Sequence, residues 1–308
     1  MSARVPTITV NPVLRREMVE RMRGGRTFVV LTLYLGLLSV VLYGTYEVGR
    51  SSGDPAEAAL LGRGIFEWQL FFMLLLVLFM VPGQAAGAIA GERERQTLVP
   101  LQVTLLSPPQ ILLGKIGAAV AFLLLLVVAT VPLLSVSYLI GGVTLGEILG
   151  GVLAVLFVGL AVGCVSATIS TFSRRVQGAT VLSYGAVLLL VLGTLALYGG
   201  ATMVDESRGV DAANPPSWLL LPNPVATVAG VVSDGVDDGG NESAFDWMEN
   251  LLVEDEQFDV GGDFVVDRAE DDVRGSFLWG SVGLLAAVAA LCIGMGARRL
   301  RTPAPTER

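Results

Sequence analysis

The chain contains no histidine, only two cysteines and a single lysine, Lys115. Without histidine or a cysteine cluster, the usual ligand sets for zinc are missing. No serine lies beside a histidine base, so an acyl-transfer triad of the usual kind is unsupported. Cys164 and Cys292 both fall within long apolar stretches, and we interpret them as small packing residues rather than as a disulfide framework. These absences argue against an enzyme with a metal or nucleophile site.

A nucleotide-binding loop of the form G-x-x-x-x-G-K-[ST] is also missing. In the Gly114-Lys115 pair the glycine is preceded five positions earlier by Pro109, and Ile116 stands where the Ser or Thr is needed. That hydroxyl binds Mg²⁺ and the glycine-rich loop holds the phosphates, so neither part of the site can form. We therefore expect that this chain binds no ATP, no metal and no other cofactor itself, and that it catalyses no covalent chemistry.

Charged residues are scarce. They make up 16% of the 308 residues, while 53% are hydrophobic and the mean hydropathy is +0.68, which is too apolar for an ordinary soluble globule. A bilayer core needs roughly 20 apolar residues per helix. Six windows of that kind predict an all-α polytopic membrane protein, and they cover about residues 27–46, 68–90, 116–140, 148–172, 176–204 and 276–297. These spans lack ionisable residues in their interiors, which argues against an ion-coupled carrier.

The distribution of charge gives the spans a direction. With the N-terminus inside, fifteen of the twenty basic residues fall on inside segments, and twenty-three of the twenty-eight acidic residues fall outside. Basic residues favour the cytoplasmic side, so we expect both termini to be cytoplasmic in a multi-pass plasma-membrane protein. The net charge of −8 comes from the external acidic excess and does not indicate nucleic-acid binding. Nineteen arginines against one lysine, with many acidic residues, are typical of a halophile.

The segments outside the spans differ in character. Residues 1–26 form a cytoplasmic N-terminus, in which Asn11-Pro12 predicts the start of an amphipathic helix lying along the inner leaflet and its lipid headgroups. A solvated linker is the alternative. Residues 27–204 contain the first five spans, and within them residues 91–115 form a charged cytoplasmic segment, which we call the coupling segment. An acidic extracellular loop follows at 205–275, then a sixth span at 276–297 and a cytoplasmic tail at 298–308.

The acidic loop between the fifth and sixth spans contains eighteen acidic residues and three arginines. Within it, residues 218–232 are apolar but too short to cross a bilayer. We predict a helical hairpin or re-entrant piece that enters the outer leaflet, with Trp218 at the interface, and a small packed cap is the alternative. Asn241 begins an Asn-Glu-Ser sequon on this side, which makes it a candidate site for N-glycosylation.

Small residues recur at fourfold spacing in two spans. They are Gly83, Gly87 and Gly91 in the second span and Gly159, Gly163 and Ala167 in the fourth. Small residues at this spacing allow helix backbones to approach closely in lipid. We expect them to pack helices together within one subunit, and a contact between subunits is the alternative.

Two stretches together carry a family resemblance. They are Asn11-Pro12-Val13-Leu14-Arg15-Arg16-Glu17 before the first span, and Ala88-Ile89-Ala90-Gly91-Glu92-Arg93-Glu94-Arg95-Gln96-Thr97-Leu98 through Thr104 and Ser107-Pro108 to Leu113-Gly114-Lys115 after the second. In pattern, most of residues 11–200 resembles the permease subunit of ABC-2 type ATP-binding-cassette transporters. The chain departs from the family at Gln96, where glycine is usual, and at Leu105, where proline is common.

The resemblance implies a six-helix permease that pairs with a second permease subunit and with separate ATPase subunits, which would bind ATP and Mg²⁺. It also implies export more than import, and a contact with the ATPase through the amphipathic helix and the coupling segment. Carried over to this sequence, that contact would use Arg15, Arg16, Glu17, Glu92, Arg93, Glu94, Thr97 and Leu98. Two alternatives are a non-transporting membrane anchor or assembly factor whose acidic loop binds an external partner, and an ion-coupled carrier.

Overall fold

The computed structural model describes residues 25–49, 55–96, 108–208, 217–232, 244–245 and 266–301. Within these ranges the chain is helical and contains no strand. Six helices are long and apolar enough to cross a membrane, which confirms the predicted fold class and span number; they are Thr27–Gly49, Ala58–Glu94, Leu112–Ile140, Leu145–Phe172, Val176–Ala201 and Gly275–Arg299. The predicted amphipathic helix before the first span and the Asn241 sequon lie outside the described residues.

The helices follow one another as an up-and-down bundle. In chain order they are α1 (Gly25–Gly49), α2 (Pro55–Ala85), α3 (Gly87–Glu94), α4 (Pro108–Ile140), α5 (Leu145–Phe172), α6 (Val176–Leu188), a π-helical turn (Leu189–Gly193), α7 (Thr194–Arg208), a 3₁₀ turn (Ser217–Leu220), α8 (Pro224–Val232) and α9 (Val266–Arg301). The turn from α4 to α5 uses Gly141 and Gly142, both with positive φ, a conformation that residues with a Cβ rarely adopt.

The centre of the bundle is formed by α2 and α5, which are the most buried of the six spans. Leu70, Met73 and Val77 of α2 and Val158 of α5 are fully buried in one apolar cluster. Gly159 lets these helices approach, because a methyl group there would lie 3.0 Å from Val77 Cγ1. Close packing of backbones is what holds helices together in lipid, where apolar burial gives little drive for association.

The outer faces of the bundle are apolar. Leu33 and Val40 of α1, Leu139 of α4 and Val181 of α6 are each at least two-thirds exposed. Such faces would associate in water, whereas a lipid environment solvates them. The first helix is bound to this bundle partly by polar contacts: Tyr34 Oη lies 2.7 Å from Thr130 Oγ1 of α4, and Gln69 Nε2 of α2 donates to the Leu38 carbonyl at 3.3 Å.

The second span differs from its predicted extent of 68–90. Helix α2 begins at Pro55 and includes Arg63 and Glu67, which pair at 3.0 Å one turn apart. The paired charges allow the helix to continue, whereas the prediction stopped at them. At about 1.5 Å per residue, the 37 residues of Ala58–Glu94 extend about 55 Å, well beyond a hydrocarbon core of about 30 Å. This helical stretch is therefore longer than a perpendicular crossing of the hydrocarbon core requires.

The fifth span is interrupted by the π-helical turn, although the sequence predicts one continuous helix over 176–204. A π-turn leaves backbone carbonyls without their usual helical partners. Asn223 supplies one partner from outside the span: its buried Nδ2 donates to the Val191 carbonyl at 3.2 Å and to Thr194 Oγ1 at 2.9 Å.

The apolar segment at 218–232 forms a 3₁₀ turn followed by helix α8. Asn223 caps α8, its Oδ1 accepting from Val225 N at 2.8 Å, and Pro224 occupies the first helical position. Most of α8 is buried against α5 and α9: a methyl group on Gly230 would lie 2.9 Å from Leu278 Cδ2. Trp218 is 62% exposed. Entry of this segment into the outer leaflet stays a prediction.

The helices run between two ends of the bundle, which we call the coupling end and the distal end. The coupling end contains α3, the start of α4, the α5–α6 turn and the last turns of α9, where Arg299 lies over Phe172 at 5.9 Å from its ring centroid. The distal end contains the α4–α5 turn and α8. Because six spans alternate in direction, the first and last described residues both lie at the coupling end.

Candidate coupling site at one end of the helix bundle

Helix α3 prolongs α2 at the coupling end. Ala86, which joins them, has right-handed helical dihedrals (φ −61°, ψ −32°), so α3 follows on from α2, and we call the pair the α2–α3 rod. The rod is interrupted at this junction, four residues after Pro82 of α2, which lacks a backbone N–H donor. Ala88, Ile89 and Ala90 are buried against the bundle, whereas Arg95 and Gln96 are exposed just after α3 ends. The rod therefore ends in a short helix with one packed face and a solvent-exposed tip.

Ser170 of α5 reaches into the start of α3. Its fully buried Oγ accepts hydrogen bonds from Ile89 N at 3.0 Å and from Ala90 N at 2.9 Å. The residue at the N-cap position, Ala86, has no side chain able to cap the helix. Since the first N–H groups of a helix need external acceptors, Ser170 acts as an N-cap supplied by a different helix.

Arg93 makes the reverse connection. Its Nη1 donates to the Ser173 carbonyl at 2.6 Å and its Nη2 to the Thr171 carbonyl at 3.1 Å. These carbonyls belong to the C-terminal end of α5, whose last turn contains no basic residue of its own. A guanidinium at the negative end of the helix dipole is favourable, and its planar fork suits two acceptors.

The two neighbouring carboxylates contact two further helices. Glu94 Oε2 accepts from Val176 N at 3.2 Å, at the first residue of α6, where Arg175 provides no side-chain cap. Glu92 Oε1 accepts from Lys115 Nζ at 3.2 Å. Lys115 is buried within α4 and only 4% exposed. The predicted third span, which began at residue 116 and left Lys115 outside, therefore started too late. Glu92–Glu94 thus connects α3 to α4, α5 and α6.

Gln96 adopts a left-handed conformation with φ +60°, and it is the one non-glycine residue with positive φ among those the structure describes. It follows the C-cap residue Arg95, at the position where helices commonly end with a left-handed glycine. This is where the sequence departs from the family pattern it resembles. The geometry gives the physical reason for a glycine at that position.

The small residues at fourfold spacing face neighbouring helices of the same chain. A methyl group on Gly83 would lie 2.9 Å from Tyr184 Oη, and one on Gly91 would lie 3.7 Å from Val176 Cγ2. Gly87 faces Val176, Gly159 faces Leu123 and Val77, Gly163 faces Val81, and Ala167 is buried. The glycines of the second span therefore bring α2 and α3 close to α6, next to the contacts of Glu94.

Of the residues that the resemblance assigns to an ATPase contact, the structure describes Glu92, Arg93 and Glu94. It brings these three together at the coupling end with their side chains directed to other helices of the chain. The other five, Arg15, Arg16, Glu17, Thr97 and Leu98, lie outside the described residues. Sequence reasoning missed Ser170 and the pairing of Lys115, since a serine late in an apolar span has no distinguishing pattern.

Exposed arginines surround this site. Arg174 and Arg175 lie in the α5–α6 turn, Arg298 and Arg299 lie near the end of α9, and Arg95 follows α3. The distal end instead has a network with two carboxylates and one guanidinium: Arg63 pairs with Glu67 at 3.0 Å and with Glu147 at 3.5 Å, and its Nη2 donates to the Val232 carbonyl at the end of α8. Among the described residues, arginines are therefore more numerous at the coupling end than at the distal end.

Most of the described bundle matches one known protein family. A family model described as ABC-2 family transporter protein matches residues 62–298, more than three quarters of the chain. The match begins within α2 and ends within α9, so it includes α3, Ser170 and the α5–α6 turn. No curated protein matches the chain.

Proposed function

The chain belongs to the ABC-2 transporter family, and from that premise we propose that it is the permease subunit of an ATP-binding-cassette transporter that is driven by a separate ATPase docking at the coupling end. The chain itself supplies the membrane path. The ATPase supplies nucleotide binding and hydrolysis, with ATP and Mg²⁺ bound there. A second permease subunit, identical or related, completes the path across the membrane.

The observation that carries this proposal is the rod formed by α2 and α3. It extends from the distal end through the core of the bundle and finishes in an exposed tip at Arg95 and Gln96. Because α3 follows directly on α2, a displacement applied to the tip reaches α2 through the junction at Ala86, next to Pro82. Since α2 lies at the centre of the apolar core, that motion changes the packing of the bundle.

The polar groups near the tip suit this role. The chain presents Arg95 to solvent beside the other arginines of the coupling end, where a partner with acidic groups can approach. Glu92, Arg93 and Glu94 hold α3 in place against α4, α5 and α6. Outward transport is the direction that the family resemblance favours, and the cargo crosses between or along the permease subunits.

The test is affinity purification of the full chain in mild detergent, with mass spectrometry of what accompanies it. The proposal expects a P-loop ATPase in stoichiometric amount, and ATP hydrolysis by the complex that changes when lipids or candidate cargo molecules are added. Absence of any ATPase, from purifications that retain other partners, contradicts the proposal and favours a membrane anchor.

A further inference from the structure

Three helix ends meet at the coupling end, and each of them is bonded by a side chain from another helix. The N-terminus of α3 is capped by Ser170 of α5, the C-terminal carbonyls of α5 are bound by Arg93 of α3, and the N-terminus of α6 is capped by Glu94 of α3. We call Arg93, Glu94 and Ser170, with the backbone groups that they bond, the capping node.

The node is reciprocal. Helix α3 cannot move away from α5 without exposing two buried N–H groups, and α5 cannot move away from α3 without breaking the bonds from two of its carbonyls to the Arg93 guanidinium. Ser170 and Thr171 are fully buried, so water does not reach these groups, and breaking their hydrogen bonds costs free energy. The three helix ends are therefore held as one unit.

We propose that the capping node carries the displacement of α3 to α5 and to α6, so that Arg93 and Ser170 are positioning residues for transport rather than contacts for the ATPase. The inference rests on the proposed function, since it presumes that a partner displaces α3. It assigns Arg93 a role different from the docking contact that the family resemblance implies. Docking then falls to exposed groups such as Arg95.

Helix α6 gives the node a long reach. It continues through the π-helical turn into α7, so a displacement at Val176 reaches Met203, which lies 27 residues further along and is 73% exposed near the distal end. At about 1.5 Å per residue this distance is about 40 Å. A probe at Met203 therefore reports transmission and is too far from the coupling end to be covered directly by a docked partner.

The experiment uses the full chain with its co-purified ATPase, in a background of C164A and C292A and with M203C as the labelling site. The background changes keep the backbone carbonyls of residues 164 and 292, which accept from Thr168. The rate of maleimide labelling is measured with and without ATP and Mg²⁺. The test variants are R93Q and S170A. The matched control is S173A, which keeps the carbonyl that Arg93 binds.

In the parent we expect ATP to change the labelling rate by about threefold or more, as a shift between two conformers would. In R93Q and S170A the change is expected to disappear, while the amount of co-purified ATPase stays within about twofold of the parent. S173A keeps both properties. R93K, which retains the charge and a donor, should recover part of the response and decides the matter if R93Q fails to fold.

Two results overturn the inference. One is loss of the ATPase from R93Q with the fold intact, which would make Arg93 a docking contact. The other is an unchanged response in R93Q and S170A, which would show that α5 and α6 do not receive the motion through the node. Failure of the proposed function looks different, since no ATPase would then accompany the parent protein.

Discussion

At the scale of single residues, Gln96 is the position where the sequence and the backbone disagree most. Its φ of +60° places a side chain in a region that glycine occupies with little strain. We predict that Q96G raises the free energy of unfolding by about 1 kcal/mol. Thermal unfolding in detergent measures the change.

Q96A is the matched control for that prediction, because alanine has the same steric conflict as glutamine at positive φ. A melting temperature that rises equally in Q96A and Q96G would contradict the backbone explanation. The family pattern marks Gln96 as a departure from the usual glycine, and the dihedral angle gives the physical reason why glycine is favoured there.

The Glu92–Lys115 pair yields a second prediction at this scale. Lys115 is 4% exposed and its side chain lies 3.2 Å from the carboxylate of Glu92, so removing that carboxylate leaves a buried ammonium without this partner. We predict that E92Q lowers the free energy of unfolding by about 2 kcal/mol and that adding K115M recovers most of the loss. A double-mutant cycle in which the two changes are simply additive would contradict a direct pairing.

At the scale of elements, one side chain joins helix α8 to the fifth span. Asn223 caps α8 through its Oδ1 and binds the π-helical turn of the fifth span through its Nδ2. We predict that N223A lowers the free energy of unfolding by about 2 kcal/mol and speeds hydrogen exchange in α8. N223S, which keeps a capping oxygen but not the amide donor, should fall between N223A and the parent. Equal exchange in all three proteins would show that α8 is held by apolar packing alone.

The helices also show which features could be predicted from the sequence and which could not. Six apolar windows fix the number and approximate positions of the spans, because a bilayer demands runs of apolar residues of one length. The start of α2 at Pro55 was not predictable from that rule, since Arg63 and Glu67 pair within the helix and look like a boundary. The π-helical turn was missed for a different reason: its carbonyl partner, Asn223, is more than thirty residues away in the sequence.

The candidate site divides in the same way. Glu92, Arg93 and Glu94 stand out in the sequence because charges between two apolar stretches are conspicuous, although their bonds to other helices of the chain were not predicted. Ser170 was not, because its importance depends on the register between α5 and α3, and no local pattern encodes that register. The three-dimensional arrangement thus turns a charged segment into a set of reciprocal helix caps.

At the scale of the whole molecule, the direction of the bundle in the membrane is the next prediction. In the C164A and C292A background, R95C should react with a membrane-impermeant maleimide only after cells are permeabilised, whereas W218C should react in intact cells. The reason is the concentration of arginine at the coupling end, since basic residues favour the cytoplasmic side. The reverse pattern of labelling would place the coupling end outside and remove the basis for an ATPase there.

In the proposed function, a separate ATPase acts on the exposed tip of the α2–α3 rod. A photo-crosslinking amino acid in place of Arg95, activated in native membranes, tests it most directly, with the same group at Trp218 as the distal control. We expect a crosslink from position 95 to a P-loop ATPase and none to that protein from position 218. A P-loop ATPase crosslinked from position 218, or none crosslinked from position 95, would contradict it.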